Sequence, residues 1–217
     1  MTERLDRRPF ALAGLLSLVL GLIGTAVSSG SPGFVSDPAR IAAYLKDDFG
    51  AVLASHTLYL LSAVLVLWFA GGMYATLRSA ERPHGHTAIV ALAGAVAGVS
   101  MMLAAAAAGA VGALRADEND GIAPEVAAAL WDLSSILYGL AAPMAMAVFV
   151  LAVAVATLRT AALPRWLGIL SVPLGVALLI PPINFLAMIA FQVWVAIAAV
   201  ALLLHRAPGA HTASAPE

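Results

Sequence analysis

Six stretches of this chain are long and apolar enough to cross a lipid bilayer as helices, and that pattern excludes nearly every soluble fold. They cover residues 10–29, 51–77, 87–114, 125–158, 166–180 and 183–204. A membrane helix takes about 20 mostly apolar residues at about 1.5 Å of rise each. The fifth stretch is the shortest and contains Pro173. Across the 217 residues, 62% are hydrophobic and 11% charged, and the mean hydropathy is +0.97. Soluble domains run about 45–50% apolar and about 25% charged. A soluble enzyme of this size could not hide so much apolar surface. Disordered chains, coiled coils and nucleic-acid binders are also excluded, because the net charge is −1 and no basic patch exists. The chain has no cysteine, so disulfide and thiolate chemistry are excluded. Ten arginines against one lysine, beside abundant alanine, indicate a GC-rich bacterial genome.

The charges between the stretches orient them. Arg4, Arg7, Arg8, Arg78, Arg82, Arg159, Arg165 and Arg206 flank one side, eight in all. The other side holds only Arg40, Lys46 and Arg115, against Asp37, Asp47, Asp48, Asp117, Glu118, Asp120 and Glu125. The positive-inside rule then places both termini in the cytoplasm. The first stretch has a basic start and a small-residue exit, as signal peptides do. Its apolar run of about 18 residues exceeds the usual 7–15, which predicts a retained helix.

Two outer loops carry local structure of their own. Ser36, Asp37 and Pro38 read as a helix start, a capping side chain followed by proline in the first turn. Residues 39–49 then form a short amphipathic helix with Ile41, Tyr44 and Leu45 on one face, ending near Gly50. The second loop repeats the plan at Pro124, its helix running straight into the fourth stretch. Residues 125–158 would extend about 51 Å, against about 30 Å of hydrocarbon, so this span must project, tilt or kink at Pro143, and projection with tilt is expected. The expected fold is therefore an all-α bundle of six membrane helices with two short extracytoplasmic helices. Residues 1–9 form a cytoplasmic segment, 10–206 one membrane domain, and 207–217 a disordered cytoplasmic tail.

Ala75–Thr76–Leu77–Arg78–Ser79–Ala80 closely matches Ala156–Thr157–Leu158–Arg159–Thr160–Ala161, and Ala11–Leu12–Ala13–Gly14 recurs as Ala91–Leu92–Ala93–Gly94. Two readings are open: parallel duplication of a hairpin, or helix ends that look alike at one interface. The third span is mostly Ala and Gly, including Gly94 and Gly98. Small residues let helix backbones approach closely in lipid, so this span is expected at the bundle centre.

No phosphate loop, nucleophile elbow or zinc signature occurs. His84 and His86 lie in a cytoplasmic loop, and two histidines do not close a metal site. Only His56 lies on a span, which argues against haem held between helices. Polar groups on spans are costly and so more informative. His56 lies 22 residues before Arg78, about 33 Å along the helix, and Asp132 lies 27 before Arg159, about 40 Å. Counting in this way places His56, Tyr59, Asp132, Ser135, Tyr138 and Asn184 in the outer third. They read either as an outward vestibule for a small ligand or lipid headgroup, with Asp132 carrying charge and His56 responding to pH, or as an interfacial belt. Deeper down, Gln192 is expected to donate to a neighbouring helix. No charged residue lies near the midplane, which counts against an ion-coupled pump.

The run Leu163–Pro164–Arg165–Trp166–Leu167–Gly168, with Pro181–Pro182, the ending Leu204–His205–Arg206 and the Trp68–Phe69–Ala70–Gly71–Gly72 segment, resembles an uncharacterised family of small bacterial integral membrane proteins related to a domain-of-unknown-function family. The resemblance covers residues 10–206 and implies a six-helix membrane fold. It carries no catalytic residue or substrate. The expected function is a non-enzymatic binding or accessory component of the bacterial cytoplasmic membrane, contacting lipids and no nucleic acid, without cofactor or metal. A small facilitator of a neutral solute or lipid, or an intramembrane lipid-modifying enzyme pairing His56 with Asp132, are the alternatives.

Overall fold

The computed structural model describes residues 7–82, 85–118 and 120–204. Every regular element among them is helical: α1 (Arg8–Val27), α2 (Pro38–Asp47), α3 (Phe49–Ala80), α4 (Thr87–Glu118), α5 (Pro124–Ile136), a π-helical turn (Leu137–Ala141), α6 (Ala142–Thr160), α7 (Arg165–Leu178) and α8 (Asn184–Leu204). Five helical runs are long and apolar enough to cross a membrane: α1, α3, α4, the continuous Pro124–Thr160 rod, and α8. The architecture is that of a multi-pass membrane protein. The fifth expected span is instead α7, whose 14 residues reach about 21 Å and fall short of a bilayer core. His84, His205, His211 and the 207–217 tail lie outside the described residues.

The long helices form a closed ring in chain order. α1 packs on α3, α3 on α4, α4 on α6, α6 on α7, α7 on α8, and α8 back on α1. Glycines sit in several of the seams. Gly14 faces the Phe69 ring and Ala199, Gly94 faces the backbone of Phe149, and Gly175 faces Leu151. Backbones can approach this closely only where no Cβ intervenes. Large apolar side chains point away from the ring on every helix, among them Leu12, Trp68, Ile89, Ile169 and Leu186. A belt so large and so apolar is a surface made for lipid.

The Ala/Gly-rich α4 is not the most enclosed helix. Of its most apolar stretch 44% is buried, against 56% for the α5–α6 rod and 50% for α8. The small face of α4 is indeed buried, with Gly94 and Gly98 turned to α6. Its other face carries exposed Val90, Val96 and Val111. α6, by contrast, also reaches α3 and α8 across the ring. Ala-rich composition set how close α4 comes to its neighbour, and position in the ring set how much of it is covered.

The half of the ring toward Arg78 and Arg159 is solid. Phe69, Phe149, Phe191, Trp194, Met73 and Met146 fill it, each at most 2% exposed. Trp194 meets Phe149 edge-on at 5.7 Å and stacks on Phe191 at 6.0 Å. At the opposite end, α2 lies across the bundle and buries Ile41 and Leu45 against Val52, Ala113, Ala127 and Trp131. Asp37 caps α2 through the Ala39 N–H at 2.8 Å, and Pro38 occupies the first turn. Gly50 does not end this helix; it lies in the first turn of α3.

Candidate functional site

Between the solid half and α2 the ring encloses a cavity of about 390 Å³. Each wall comes from a helical face. His56 and Tyr59 share a face of α3, three residues apart. Trp131, Ser134, Ser135 and Tyr138 follow the i, i+3, i+4, i+7 pattern along α5 and into the π turn. Phe185, Met188 and Ile189 repeat that spacing on α8, and Tyr44 enters from α2. Thr25, Ser28, Ser29 and Ser31 at the end of α1 form the remaining edge. Small residues of α4, Ala105 and Ala106, leave the space open.

The π turn belongs to this construction. Pro143 has no N–H, and its ring would meet the carbonyl four residues earlier in a regular helix. The turn at Leu137–Ala141 steps around that conflict: the Ala142 N–H reaches back five residues to the Leu137 carbonyl. Tyr138 sits inside the turn and lines the cavity. Projection with tilt was expected of this long span; the structure also places a π turn on the Arg-distal side of Pro143.

Polar contacts hold the rings in place. The His56 Nδ1 lies 2.8 Å from the Val52 carbonyl, which can only accept, so Nδ1 carries a proton and Nε2 faces α4 at Gly109. Tyr59 shares a hydrogen bond of 2.9 Å with the Ser28 hydroxyl. Ser134 donates to the Ala105 carbonyl at 2.8 Å, tying α5 to α4. The Trp131 indole N–H, in contrast, has no acceptor among the described residues. His56 meets Tyr59 at 6.2 Å and 80°, Tyr59 meets Tyr138 at 6.1 Å and 34°, and Tyr44 meets Trp131 at 5.6 Å and 77°. Burial, then the nearby Asp48 carboxylate and Tyr59, push the Tyr44 phenol above its ordinary range.

Four of the six residues expected at an outer site, His56, Tyr59, Ser135 and Tyr138, line this cavity. Asp132 and Asn184 do not. The Asp132 carboxylate accepts the Val35 N–H at 3.3 Å instead, and no hydrogen bond joins it to His56. Asn184 is buried at the start of α8 with its amide N–H groups unpartnered. Tyr44, Trp131 and the serines of the α1 end were missed from sequence. Trp131 was within reach, since it begins the same helical face as Ser135 and Tyr138.

Below the cavity, Ser62 donates to the Ser17 carbonyl at 2.9 Å, and Gln192 packs beside Ser62 at Gly21. The Gln192 Oε1 has no donor among the described residues. Phe191 and Trp194 of the aromatic plug flank Gln192 on α8. A second, larger groove of about 480 Å³ lies on the bundle surface near Trp166, lined by Leu15, Ile197, Val200 and Leu204. It offers no chemistry beyond apolar contact. No cluster of three or more potential metal-ligating side chains occurs among the described residues.

Comparison with family models, with curated proteins and with solved structures finds no match for this chain.

Proposed function

We propose that the chain is a six-pass protein of the bacterial cytoplasmic membrane, with both termini inside, that binds a small ligand or lipid headgroup in a vestibule opening on the outer face. It is a non-enzymatic binding or accessory component. The carrying observation is the cavity itself: polar hydroxyls and inward-turned rings at the α2 end, closed below by Phe149, Phe191 and Trp194. An interfacial belt turns its rings outward to headgroups, whereas these rings face one another. The arginine asymmetry supports the orientation. In this reading α7 completes the sixth pass: the short helix and its turn through Pro181 and Pro182 return the chain to the α2 end. The resemblance at Leu163–Pro164–Arg165–Trp166–Leu167–Gly168 supports the same family and membrane. A facilitator is the second reading, favoured by Ser17, Ser62 and Gln192 beneath the cavity, and it requires the aromatic plug to open. The His56–Asp132 enzyme has no supporting contact.

Substituted-cysteine labelling tests this on a chain that has no native cysteine. Ser31→Cys and Ser135→Cys should react with a membrane-impermeant thiol reagent added outside intact cells, and Ser79→Cys only after permeabilisation. Reaction of Ser79→Cys from outside ends the orientation. A silent Ser135→Cys beside a reactive Ser31→Cys ends the vestibule.

A further inference from the structure

The lining of the cavity also points to a class of ligand, an inference that rests on the vestibule reading and narrows it. Six ring side chains, Tyr44, His56, Tyr59, Trp131, Tyr138 and Phe185, line one space of about 390 Å³. They come from α2, α3, α5, the π turn and α8, so the fold gathers them from separate elements. Two of the ring pairs stand nearly perpendicular, at 77° and 80°. Aromatic rings gathered around one space attract a cation whose own substituents are too apolar to be well hydrated. Among the described residues no Lys or Arg lines the space. The segments around it, residues 28–50 and 115–132, hold eight carboxylates (Asp37, Asp47, Asp48, Asp117, Glu118, Asp120, Glu125 and Asp132) against three basic residues. That balance draws cations toward the mouth and repels anions.

We propose that the vestibule binds an alkylated ammonium group, quaternary or nearly so. A free solute such as choline and the headgroup of a choline lipid share this chemistry.

The test uses the full chain in nanodiscs of phosphatidylglycerol, titrated calorimetrically with choline, tetramethylammonium and 3,3-dimethylbutan-1-ol, the uncharged carbon isostere of choline. Choline should bind at least about tenfold more tightly than the isostere, since only the charge distinguishes them. Trp131→Leu and Tyr59→Leu should each weaken choline about tenfold, and Trp131→Phe less, with unchanged melting temperatures showing intact folds. In native mass spectrometry, phosphatidylcholine retained by the wild type and lost from Trp131→Leu assigns the lipid as the source. Choline binding without lipid retention assigns the free solute. Equal binding of choline and its isostere overturns the cation inference and leaves the vestibule standing. Neither choline nor retained phosphatidylcholine also overturns it, and the Ser135→Cys labelling then decides the vestibule separately.

Discussion

The carboxylate of Asp132 accepts a hydrogen bond from the backbone N–H of Val35, 97 residues earlier in the chain. Val35 has φ 56°, a left-handed conformation that a β-branched residue rarely adopts. The contact holds the α1–α2 segment across the end of the bundle, beside the serines that edge the cavity. Asp132 therefore holds this segment and does not line the cavity.

Removing that acceptor should loosen the rim without unfolding the ring. Asp132→Ala should speed hydrogen exchange at the Val35 amide about fivefold, the loss expected for a single hydrogen bond of about 1 kcal/mol. Asp132→Asn keeps an acceptor oxygen and should stay near wild type. Equal exchange in all three chains would mean that the bond does not hold the segment.

Neighbouring glycines on α3 should respond in opposite directions. A Cβ at Gly71 meets nothing within 4 Å, whereas one at Gly72 would overlap Phe10 at its own Cβ, which cannot swing away. Gly71→Ala should stabilise by about 0.5–1 kcal/mol through helix propensity. Gly72→Ala should destabilise by about 1–3 kcal/mol through overpacking. The same logic ranks Gly94→Ala, which presses on the Phe149 backbone, above Gly98→Ala, which presses on the flexible Met146 side chain. Thermal unfolding in one detergent reads all four; an inverted order at either pair would refute the packing account.

α7 is fastened to α8 by one polar contact. The Trp194 Nε1–H donates to the Ser171 hydroxyl at 2.9 Å, and that hydroxyl donates to the Leu167 carbonyl at 2.7 Å. Both side chains are buried. Ser171→Ala leaves a buried indole N–H without an acceptor, at a cost of about 1–3 kcal/mol. Ser171→Thr keeps the hydroxyl and should recover much of that loss. A melting temperature for Ser171→Ala equal to wild type would show that the contact carries no stability.

α2 and the α4–α5 loop are clasped by Lys46, whose Nζ lies 2.8 Å from the Asp120 carboxylate and 3.0 Å from its carbonyl. The contact with Asp120 raises the Lys46 pKa and lowers that of Asp120. A depressed carboxylate gives stability above its ordinary pKa of 3.8 that is lost as pH falls through the folded value. A raised ammonium gives stability below its ordinary 10.5 that is lost as pH rises through the folded value. The clasp should thus be constant from about pH 5 to 9 and vanish beyond both edges. Both groups are solvated, so salt should weaken it. Lys46→Met should raise protease cleavage between α4 and α5 at low salt and have no effect in 1 M salt; cleavage that rises equally at both salt concentrations would exclude an electrostatic clasp.

How much of this was readable in advance depended on the kind of information each residue carries. Apolar run length and capping chemistry located α1, α2, α3, α4 and α8 to within a few residues, because both are local. Counting from the arginines gave an expected depth, and His56, Tyr59, Ser135 and Tyr138 of that set line one cavity. Depth carries no azimuth, which is why the count could not tell that Asp132 and Asn184 lie off its lining. Each sits about 100° around its helix from a lining neighbour, Trp131 or Phe185. The i, i+3, i+4 spacing of those neighbours held the missing angle. Tyr44 was read as part of the apolar face of α2, but nothing local says what that face covers. The π turn was hidden because Pro143 predicts a disturbance and not its form.

That turn yields a prediction with a built-in control. A π turn is in effect one residue inserted into an α-helix. Gly139 lies inside it, and no neighbouring atom comes within 4 Å of where its Cβ would be. Deleting Gly139 should restore α-helical register while leaving Trp131 on one flank and Met146 on the other in their buried sites. The deletion also brings the Pro143 ring against a carbonyl it now avoids, a conflict worth about 3 kcal/mol. Deletion alone should therefore destabilise the protein, and Pro143→Ala added to it should recover most of the loss. Pro143→Ala by itself should change little, because the packed flanks keep the turn in place. The three chains and wild type form a cycle in thermal unfolding, and the deletion and the substitution should be coupled by about 1–3 kcal/mol. Strictly additive effects would show that the proline and the turn are unrelated, and that Tyr138 owes its place to some other constraint.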